Sequence, residues 1–128
     1  SAKFDKLSIF GNNWPTFDGT GIRDYIHVMD LAEAHISAID FLLNERPQIF
    51  NLNVGTGIGT SVVELVNIFQ NVNKIEIPFE FSEKREGDVA MIVADNSKIM
   101  SLFKWHPKRN LKDMCFDGWN WQLKNQTK

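Results

Sequence analysis

The sequence predicts a small mixed α/β domain with α+β character, and three observations indicate this class. Apolar residues recur at helical spacing in several segments, short segments alternate apolar with polar residues, and turns rich in glycine separate the two kinds. The chain has 128 residues, which suits one domain with enough length to bury a core. Strands and helices follow one another along it, which is typical of α/β or α+β architectures.

Ten segments follow from these patterns in chain order. The expected segments are a strand at 7–10, a loop at 11–21, a strand carrying Arg23, a helix beginning at Asp30 and ending at 44–47, a strand at 49–54, a glycine loop at 55–59, a helix capped by Ser61, a strand at 76–82, a short helix after Asp95 or Asn96, and a last helix capped by Asn110. The strand at 76–82 alternates apolar with polar residues, so it is expected to be half-exposed.

Capping residues and apolar stripes define the helices. Asp30 is followed by Glu33, and Ser61 by Glu64, at the spacing of a capping box. Pro47 ends the first helix, because the residue before a proline avoids helical geometry. The residues expected on the buried faces are Leu31, Ala34, Ala38 and Leu42, then Val62, Leu65, Val66 and Phe69, then Ile99, Leu102 and Phe103, and finally Leu111, Met114, Cys115 and Trp119, with Trp121 as a further candidate.

Composition argues against several classes of function. A net charge of -2 provides no basic surface for nucleic acid or for an acidic membrane, so neither partner is expected. The one cysteine, Cys115, forms no internal disulfide, which suits a reducing compartment, and the cytoplasm is the expected location. No apolar run approaches the roughly 20 residues that span a bilayer. The histidines and carboxylates are not spaced for a metal site, and no serine lies in a nucleophile-elbow sequence.

The turn and strand around Arg23 form the most informative segment of the chain. Two glycines loosen the turn, and the strand after it presents the arginine. A planar guanidinium forms paired hydrogen bonds with phosphate oxygens, which a lysine point charge cannot do. The segment therefore predicts a phosphate-binding arginine; the alternative is a surface arginine paired with Asp18 or Asp24.

Alternation along the same strand predicts which side chains share its faces. We expect Ile26 and Val28 on one face, toward the core. Arg23, Tyr25 and His27 then share the other face, and an arginine on that face would point into a cleft.

A second charged segment, residues 84–88, surrounds one glycine with charges of both signs. Such a run is usually a solvated loop. Gly87 also lets the backbone turn so that Arg85 and Asp88 can face one ligand, with phosphate oxygens for the arginine and ribose hydroxyls for the aspartate. The segment therefore indicates either a solvated loop or a contact with a nucleoside diphosphate.

The glycine loop that leads to Ser61 is similar to a dinucleotide-binding fingerprint but differs from it in two ways. Its spacing is G-x-G-x-G instead of G-x-G-x-x-G. No strand ending in an acidic residue follows about 20 residues later to bind a ribose. We therefore interpret the loop as a tight strand-to-helix turn, and no NAD site is expected in this chain.

Several of these segments, in the same order, resemble the UDP-glucose 4-epimerase family, part of the extended short-chain dehydrogenase/reductase group. The stretches that carry the resemblance are Ile9–Ala32, Asn51–Ser61, Arg85–Asp88 and Met114–Gln122. They match only the C-terminal portion of such an enzyme. The resemblance implies that residues 1–128 form one C-terminal, UDP-sugar-binding domain, which is the substrate-binding lobe without the NAD-binding Rossmann domain.

The resemblance also implies an activity for a longer parent protein, namely the NAD-dependent interconversion of UDP-glucose and UDP-galactose, usually by a homodimer. In that family a Tyr-x-x-x-Lys pair removes the proton of the sugar 4-hydroxyl while NAD accepts the hydride. Here Tyr25 is followed by Met29 at the lysine position, so this chain alone is expected to be inactive. The absent N-terminal domain would bind NAD, and this lobe would anchor the UDP while the 4-keto sugar rotates.

Residue by residue, the resemblance implies substrate contacts at six positions. They are Arg23 and Arg85 for the diphosphate, Asp88 for the ribose, Ser8 and Phe10 for the uracil through their backbone, and Ile92 for the sugar. The residue at position 92 helps to set sugar size in the family, and Ile92 implies a preference for plain hexoses over N-acetylated ones. An ordinary strand isoleucine in the core is the alternative. Lys84 stands where the family commonly has a further arginine.

Three alternatives remain open at the level of the sequence. Related nucleotide-sugar dehydratases and decarboxylases share this lobe, although the stretches around Arg23 and Asp88 favour the epimerases. A free-standing module that binds nucleotide sugars without catalysis is a different class. An oligomerisation scaffold rests only on the tryptophan-rich terminal helix.

Overall fold

The structure is a computed structural model that describes residues 5–126. Its elements in chain order are β1 (Leu7–Phe10), β2 (Ile22–Asp24), α1 (Val28–Asn44), β3 (Gly59–Ser61), α2 (Val62–Asn73), β4 (Phe79–Ser82), β5 (Met91–Ile92), α3 (Ser97–Phe103) and α4 (Leu111–Gln126). Strands and helices are interspersed along the chain, which confirms the mixed α/β class.

The short strands form two small sheets in the described part of the chain. β1 pairs with β4 in parallel, with Phe10 opposite Ser82. In the second sheet β2 lies between β3, to which it is antiparallel, and β5, to which it is parallel. Arg23 is opposite Thr60 on one side and Ile92 on the other. The strand that carries the predicted phosphate-binding arginine is therefore held from both sides.

The first helix begins at Val28, two residues before the predicted start at Asp30. His27 is its N-cap, because the ring Nδ1 accepts a hydrogen bond from an amide of the first turn. The Asp30 carboxylate is fully buried and accepts hydrogen bonds from the amides of Lys108 and Arg109 and from the Arg109 guanidinium. The prediction that Asp30 caps the helix is therefore wrong.

The contacts of Asp30 join the start of α1 to the segment before α4. Burial alone would raise the pKa of Asp30, but hydrogen bonds from Arg109 and Lys108 outweigh it, and the pKa lies below its ordinary value. Arg109 also bonds Glu33, one turn further along α1, at 3.0 Å. These contacts fix the position of α1 relative to the chain that enters α4.

The strand predicted around Arg23 is shorter than expected. β2 ends at Asp24, and the next three residues are in no strand. Ile26 packs against the core as predicted, whereas Val28 is 69% exposed. His27 is buried and caps α1, and it lines a hollow with Asp117 and Trp121 that neither Arg23 nor Tyr25 lines. The assignments of Val28 and His27 are wrong, because the chain turns into α1 before the alternation is complete.

The strand predicted at 49–54 is absent from the described part of the chain. Ile49 is 93% exposed, while Leu52 and Val54 pack against the core. No other described strand runs beside this segment to form a ladder with it. The apolar pattern therefore agrees with the burial of Leu52 and Val54. A strand also needs a second backbone beside it, and a local pattern does not reveal whether one is there.

The strand predicted at 76–82 is confirmed only in its second half, as β4. The amide of Ile77 donates to the side chain of Gln70 at 2.7 Å instead of joining a ladder, and Pro78 has no amide hydrogen to donate. Phe79 and Phe81 are 37% and 47% exposed, which agrees with a half-exposed strand.

The second helix begins as predicted, with Ser61 as its N-cap. The Ser61 hydroxyl accepts a hydrogen bond from the Glu64 amide at 3.0 Å, and the Glu64 carboxylate accepts one from the Ser61 amide. The same hydroxyl donates to Asp18 in the turn before β2. Burial would raise the pKa of Asp18, but hydrogen bonds from Ser61 and Thr20 hold it below its ordinary value. The helix start and the glycine turn therefore stabilise each other.

The last two helices also start near the predicted positions. α3 begins at Ser97 after Asn96. Before α4, the Asn110 Oδ1 atom accepts hydrogen bonds from the amides of Lys112 and Asp113 at 2.8 and 3.1 Å. The carboxylate of Asp113 in turn accepts one from the Asn110 amide. This reciprocal pair confirms the predicted cap.

The core lies between α1, α3 and the segment before α4. Ala34, Ile99 and Trp105 form its buried centre, and Trp105 Nε1 donates to a carbonyl of α1 at 3.1 Å. α2 packs against α4, where the rings of Phe69 and Trp119 meet edge to face with centroids 6.0 Å apart. These two packing zones hold the helices around the small sheets.

Two residues expected in the core are largely exposed. Leu42 is 49% and Trp121 66% exposed, so their assignment to buried faces is wrong. Cys115 is buried as predicted, and burial raises the pKa of its thiol. Within residues 5–126, the helices lack the length and apolar character required to cross a bilayer.

Candidate functional site

A cavity of about 300 Å³ lies between the end of β1, the middle of β2 and the segment between β4 and β5. Its lining residues are Ser8, Ile9, Phe10, Trp14, Gly21, Arg23, Tyr25, Val62, Arg85 and Asp88. Five of the six residues predicted to contact a substrate are in this set. The two arginines, 62 positions apart in the sequence, therefore meet at one concave surface.

Arg23 reaches the cavity from β2. Its Nη1 atom donates to the Ile22 carbonyl at 2.8 Å, and its Nη2 atom lies 4.0 Å from Asp88 Oδ1. Gly21 leaves room for the guanidinium, since a β-carbon there would lie 3.2 Å from Arg23 Nη1. The alternative of a surface arginine paired with Asp18 or Asp24 is wrong, because the ion pair of Arg23 is with Asp88.

Arg85 reaches the cavity from the turn after β4. Its Nε atom donates to Asp88 Oδ2 at 3.1 Å, and its guanidinium carbon lies 4.6 Å from the centroid of the Phe10 ring. The Asp88 amide donates to the Arg85 carbonyl at 3.2 Å, and Gly87 has a φ of 83°, a conformation that favours glycine. The turn therefore directs Arg85 and Asp88 toward the same cavity.

The charged side chains that line the cavity have a net charge of +1. Arg23 and Arg85 share the single carboxylate of Asp88. Asp88 and Arg23 are about three-quarters buried, whereas the Arg85 side chain is 61% exposed. Guanidinium groups held in this way can form paired hydrogen bonds with an anionic group such as a phosphate.

Ile92 does not line the cavity. It lies on β5 directly opposite Arg23 and is 56% exposed. Residues opposite each other in a ladder project to the same face of a sheet, so Ile92 is a neighbour of the cavity. The interpretation as an ordinary core isoleucine is wrong.

Trp14 and Tyr25 line the cavity although neither was predicted to contact a ligand. The sequence placed Arg23 and Tyr25 on the same face of a strand, which was the signal that could have predicted Tyr25 at the site. Both residues do line the cavity. Burial raises the pKa of Tyr25, with a smaller opposing effect from the charge of Arg23. Trp14 follows Phe10 by four residues in a loop, where no periodic pattern predicts orientation.

Asp24, next to Arg23, holds the glycine loop in place. Its carboxylate accepts hydrogen bonds from the amides of Thr56, Gly57 and Ala94 at 2.9, 2.9 and 3.2 Å. Burial would raise the pKa of Asp24, but these bonds and one from the Thr56 hydroxyl hold it below its ordinary value. Two amides of the loop that a bound phosphate would need are therefore occupied within the chain.

Outside the cavity, several titratable side chains form structural pairs. His27 Nε2 lies 3.1 Å from Asp117 Oδ2 and links the start of α1 to α4. Lys108 Nζ donates to Glu33 at 2.6 Å. Among residues 5–126, no group of three or more His, Cys, Asp and Glu residues is arranged to hold a metal ion.

The sequence matches a known protein family over most of its length. The family model described as GDP-mannose 4,6 dehydratase covers residues 2–117. The chain belongs to this family. Within the GDP-mannose 4,6 dehydratase family it is similar to UDP-glucose 4-epimerases: 48% identity over 124 residues to that of Bacillus subtilis (strain 168), and 46% over 119 residues to that of Dictyostelium discoideum. These alignments cover 96% and 93% of this chain but only 36% and 35% of the relatives.

Solved structures give the same result. The UDP-glucose 4-epimerase of Stenotrophomonas maltophila, with bound NAD and formylated UDP-arabinopyranose, is 42% identical with a TM-score of 0.93, over 97% of this chain and 37% of that one. The UDP-glucose 4-epimerase of Bifidobacterium longum, in complex with NAD+ and UDP, is 36% identical with a TM-score of 0.91, over 98% and 37%. The resemblance to the epimerases is thereby confirmed, and the chain spans about a third of the length of the relatives it matches.

Proposed function

We propose that residues 1–128 are the C-terminal, UDP-sugar-binding lobe of a UDP-glucose 4-epimerase, and that this lobe anchors UDP while the sugar reacts. The observation that carries the proposal is the cavity at which Arg23, Arg85 and Asp88 meet. The names of the similar proteins, and the UDP and UDP-sugar in two similar structures, support the choice of ligand.

The two arginines bind the diphosphate in this proposal. Both line the cavity, so a diphosphate bound there receives hydrogen bonds from two guanidinium forks. The diphosphate does not take part in the reaction. Its binding energy therefore serves to hold one end of the substrate in place while the sugar at the other end turns over.

Asp88 and β1 bind the nucleoside. The Asp88 carboxylate accepts hydrogen bonds from the ribose hydroxyls, and the backbone of Ser8 to Phe10 contacts the uracil. In the described part of the chain β1 pairs with β4 alone. One edge of β1 is therefore available for the donors and acceptors of a uracil ring. Ile92, beside the cavity, limits the size of the sugar and favours glucose and galactose.

Catalysis belongs to the longer parent protein. In the proposed reaction, NAD bound by the N-terminal domain of the parent would supply reversible hydride transfer at the sugar, and a Tyr-x-x-x-Lys pair would handle the proton. In this sequence Tyr25 is followed by Met29 at the lysine position. The pair and the NAD site therefore lie in the N-terminal domain of the parent, and the parent acts as a homodimer through that domain.

A nuclear magnetic resonance titration of this chain with UDP tests the binding part. Amide shifts are expected at residues 8–10, 23 and 85–88. Hydrogen bonds to charged groups contribute about 1.5–3 kcal/mol, so Arg23→Ala and Arg85→Ala should each weaken UDP binding by about tenfold or more. Arg46→Ala, in an exposed segment after α1, is the control. Shifts elsewhere, or equal affinity in all three variants, would contradict the proposal.

Calorimetry and an activity assay test the assignment to a lobe. By calorimetry we expect UDP binding by the chain alone to be weak or undetectable, and we expect stronger binding when the chain is joined to the N-terminal two thirds of the Bacillus relative. The joined protein should convert UDP-galactose into UDP-glucose. Nanomolar affinity of the chain alone would mean that its site is already complete.

A nucleotide-sugar dehydratase is the second candidate, because the matching family model bears that description. The same joined protein distinguishes the two reactions by product. An epimerase returns a hexose of unchanged mass, whereas a dehydratase releases water and leaves a 4-keto-6-deoxy sugar that mass spectrometry detects.

A further inference from the structure

β1 and β4 end side by side, and the segments that leave them stay in contact. Phe10 lies opposite Ser82 in the parallel ladder, and the Gly11 amide donates to the Ser82 carbonyl at 2.8 Å. The chain after Phe10 and the chain after Ser82 therefore leave the sheet from the same end. One of these segments carries aromatic rings and the other carries two consecutive cations.

Two cation–π contacts join these segments. Lys84 Nζ lies 4.0 Å from the centroid of the Trp14 ring, and the Arg85 guanidinium lies 4.6 Å from that of Phe10. Lys84 also donates to the carbonyl of Asn13 at 3.3 Å. Lys84 and Arg85, which are consecutive in the sequence, thus bind the rings of Trp14 and Phe10, which are four residues apart.

Gly11 makes this close approach possible. Its φ is 84°, and a β-carbon at this position would lie 2.4 Å from Trp14 Nε1 and 2.8 Å from Lys84 Cγ. A larger residue would force the tryptophan ring and the lysine apart, and it would also strain the backbone.

Arg85 needs such support because its side chain is 61% exposed. An exposed arginine samples many rotamers, and a ligand must fix one of them at an entropic cost. Here the Arg85 guanidinium lies over the Phe10 ring, and Asp88 accepts a hydrogen bond from its Nε atom. The side chain is therefore held beside the cavity before a ligand arrives.

We propose that the side chains of Phe10 and Trp14 are positioning residues for Arg85. The Phe10–Arg85 and Trp14–Lys84 contacts together form an aromatic clasp, which fixes the segment after β4 over the cavity and orients Arg85 toward the diphosphate. The clasp is a property of the chain alone. Its effect on affinity rests on the proposed function, with UDP as the ligand.

The first experiment requires no ligand. In the 128-residue chain, the ring current of Phe10 should shift the Arg85 Nε–H resonance upfield. Phe10→Leu should abolish this shift and Phe10→Tyr should retain it. Phe79→Leu, which removes a partly exposed ring from the same sheet, should leave it unchanged. An Arg85 resonance without a ring-current shift in the wild-type chain would overturn the proposal.

The second experiment is a double-mutant cycle read out by UDP binding. A cation–π contact is worth about 0.5–2 kcal/mol, so Phe10→Leu should weaken UDP binding by about two- to thirtyfold. In an Arg85→Ala background the same substitution should have no further effect, and Phe10→Tyr should restore the affinity of the wild-type chain. A loss of equal size with and without Arg85 would mean that Phe10 acts by another route.

The two experiments separate the proposals. If UDP binds neither the wild-type chain nor the protein joined to the N-terminal two thirds of the Bacillus relative, the proposed function is refuted, and the resonance of Arg85 still decides whether the clasp exists. Lys84→Met tests the second contact without altering the cavity lining. It should increase hydrogen exchange at residues 84–88, and unchanged exchange would contradict a role for Trp14.

Discussion

Asp24→Asn tests how strongly one carboxylate supports the sheet that carries Arg23. Oδ1 of Asp24 accepts hydrogen bonds from the amide and hydroxyl of Thr56, and Oδ2 accepts from the amides of Gly57 and Ala94. Asparagine keeps one oxygen for Thr56. Its Nδ2 group then faces two amide donors that have lost their acceptor.

The expected destabilisation follows from these four bonds. A buried donor without an acceptor costs about 1–3 kcal/mol. The amide of Gly57, an exposed residue, can turn to water, whereas Ala94 is partly buried, so one such penalty applies in full. With the weaker bonds to a neutral oxygen added, we expect a loss of about 2–4 kcal/mol. That is a large share of the roughly 5–15 kcal/mol by which domains are stable.

Urea unfolding followed by circular dichroism measures this loss. Asp40→Asn, which removes an exposed carboxylate on α1, is the matched control and should change stability by less than about 0.5 kcal/mol. A value for Asp24→Asn as small as that of the control would refute the reasoning.

The pH dependence of stability independently tests whether the ionised carboxylate of Asp24 stabilises the folded chain. The pKa of Asp24 is lower in the folded chain than its ordinary value of 3.8. Its contribution is therefore fully present above that value and is lost as the pH falls through the lower folded pKa. The stability difference between wild type and Asp24→Asn should be constant near neutral pH and shrink as the pH falls below about 4.

Three further predictions concern the scaffold. Ser61→Ala removes the cap of α2 and should cost about 1–2 kcal/mol in thermal unfolding; an unchanged midpoint would contradict the capping geometry. Gly55→Ala places a methyl carbon 2.5 Å from a carboxylate oxygen and should destabilise the chain, whereas Gly118→Ala meets nothing within 4 Å and should be neutral or stabilising. Stability followed by tryptophan fluorescence should fall as the pH drops below about 4, because hydrogen bonds hold the pKa values of Asp18, Asp24 and Asp30 below their ordinary value of 3.8.

The sequence predicted those parts of the fold that depend on neighbouring residues. The caps at Ser61 and Asn110 involve partners three residues away, so spacing alone reveals them. Chemistry and the family resemblance also identified Arg23, Arg85 and Asp88, which the structure brings to one cavity.

Features that depend on distant partners were missed. Asp30 has the spacing of a cap, but its partner Arg109 is 79 residues away, and no local pattern indicates which role the carboxylate takes. Segment 49–54 has the composition of a strand, yet a strand also requires a second backbone beside it. Trp14 reaches the cavity from a loop, where its ring contacts Lys84, a residue far away in the sequence.

Parallel pairing of β1 with β4 determines where the protein tolerates a change in length. The ladder places Phe10 beside Ser82, and residues 83–88 start from that point. A one-residue deletion inside β4 would shift this start by about 3.3 Å and reverse the orientation of the following side chains. Such a deletion should abolish ligand binding while leaving every residue of the cavity in the sequence. A one-residue deletion in the exposed segment 45–48 leaves the register of β1 with β4, and thus the start of residues 83–88, unchanged.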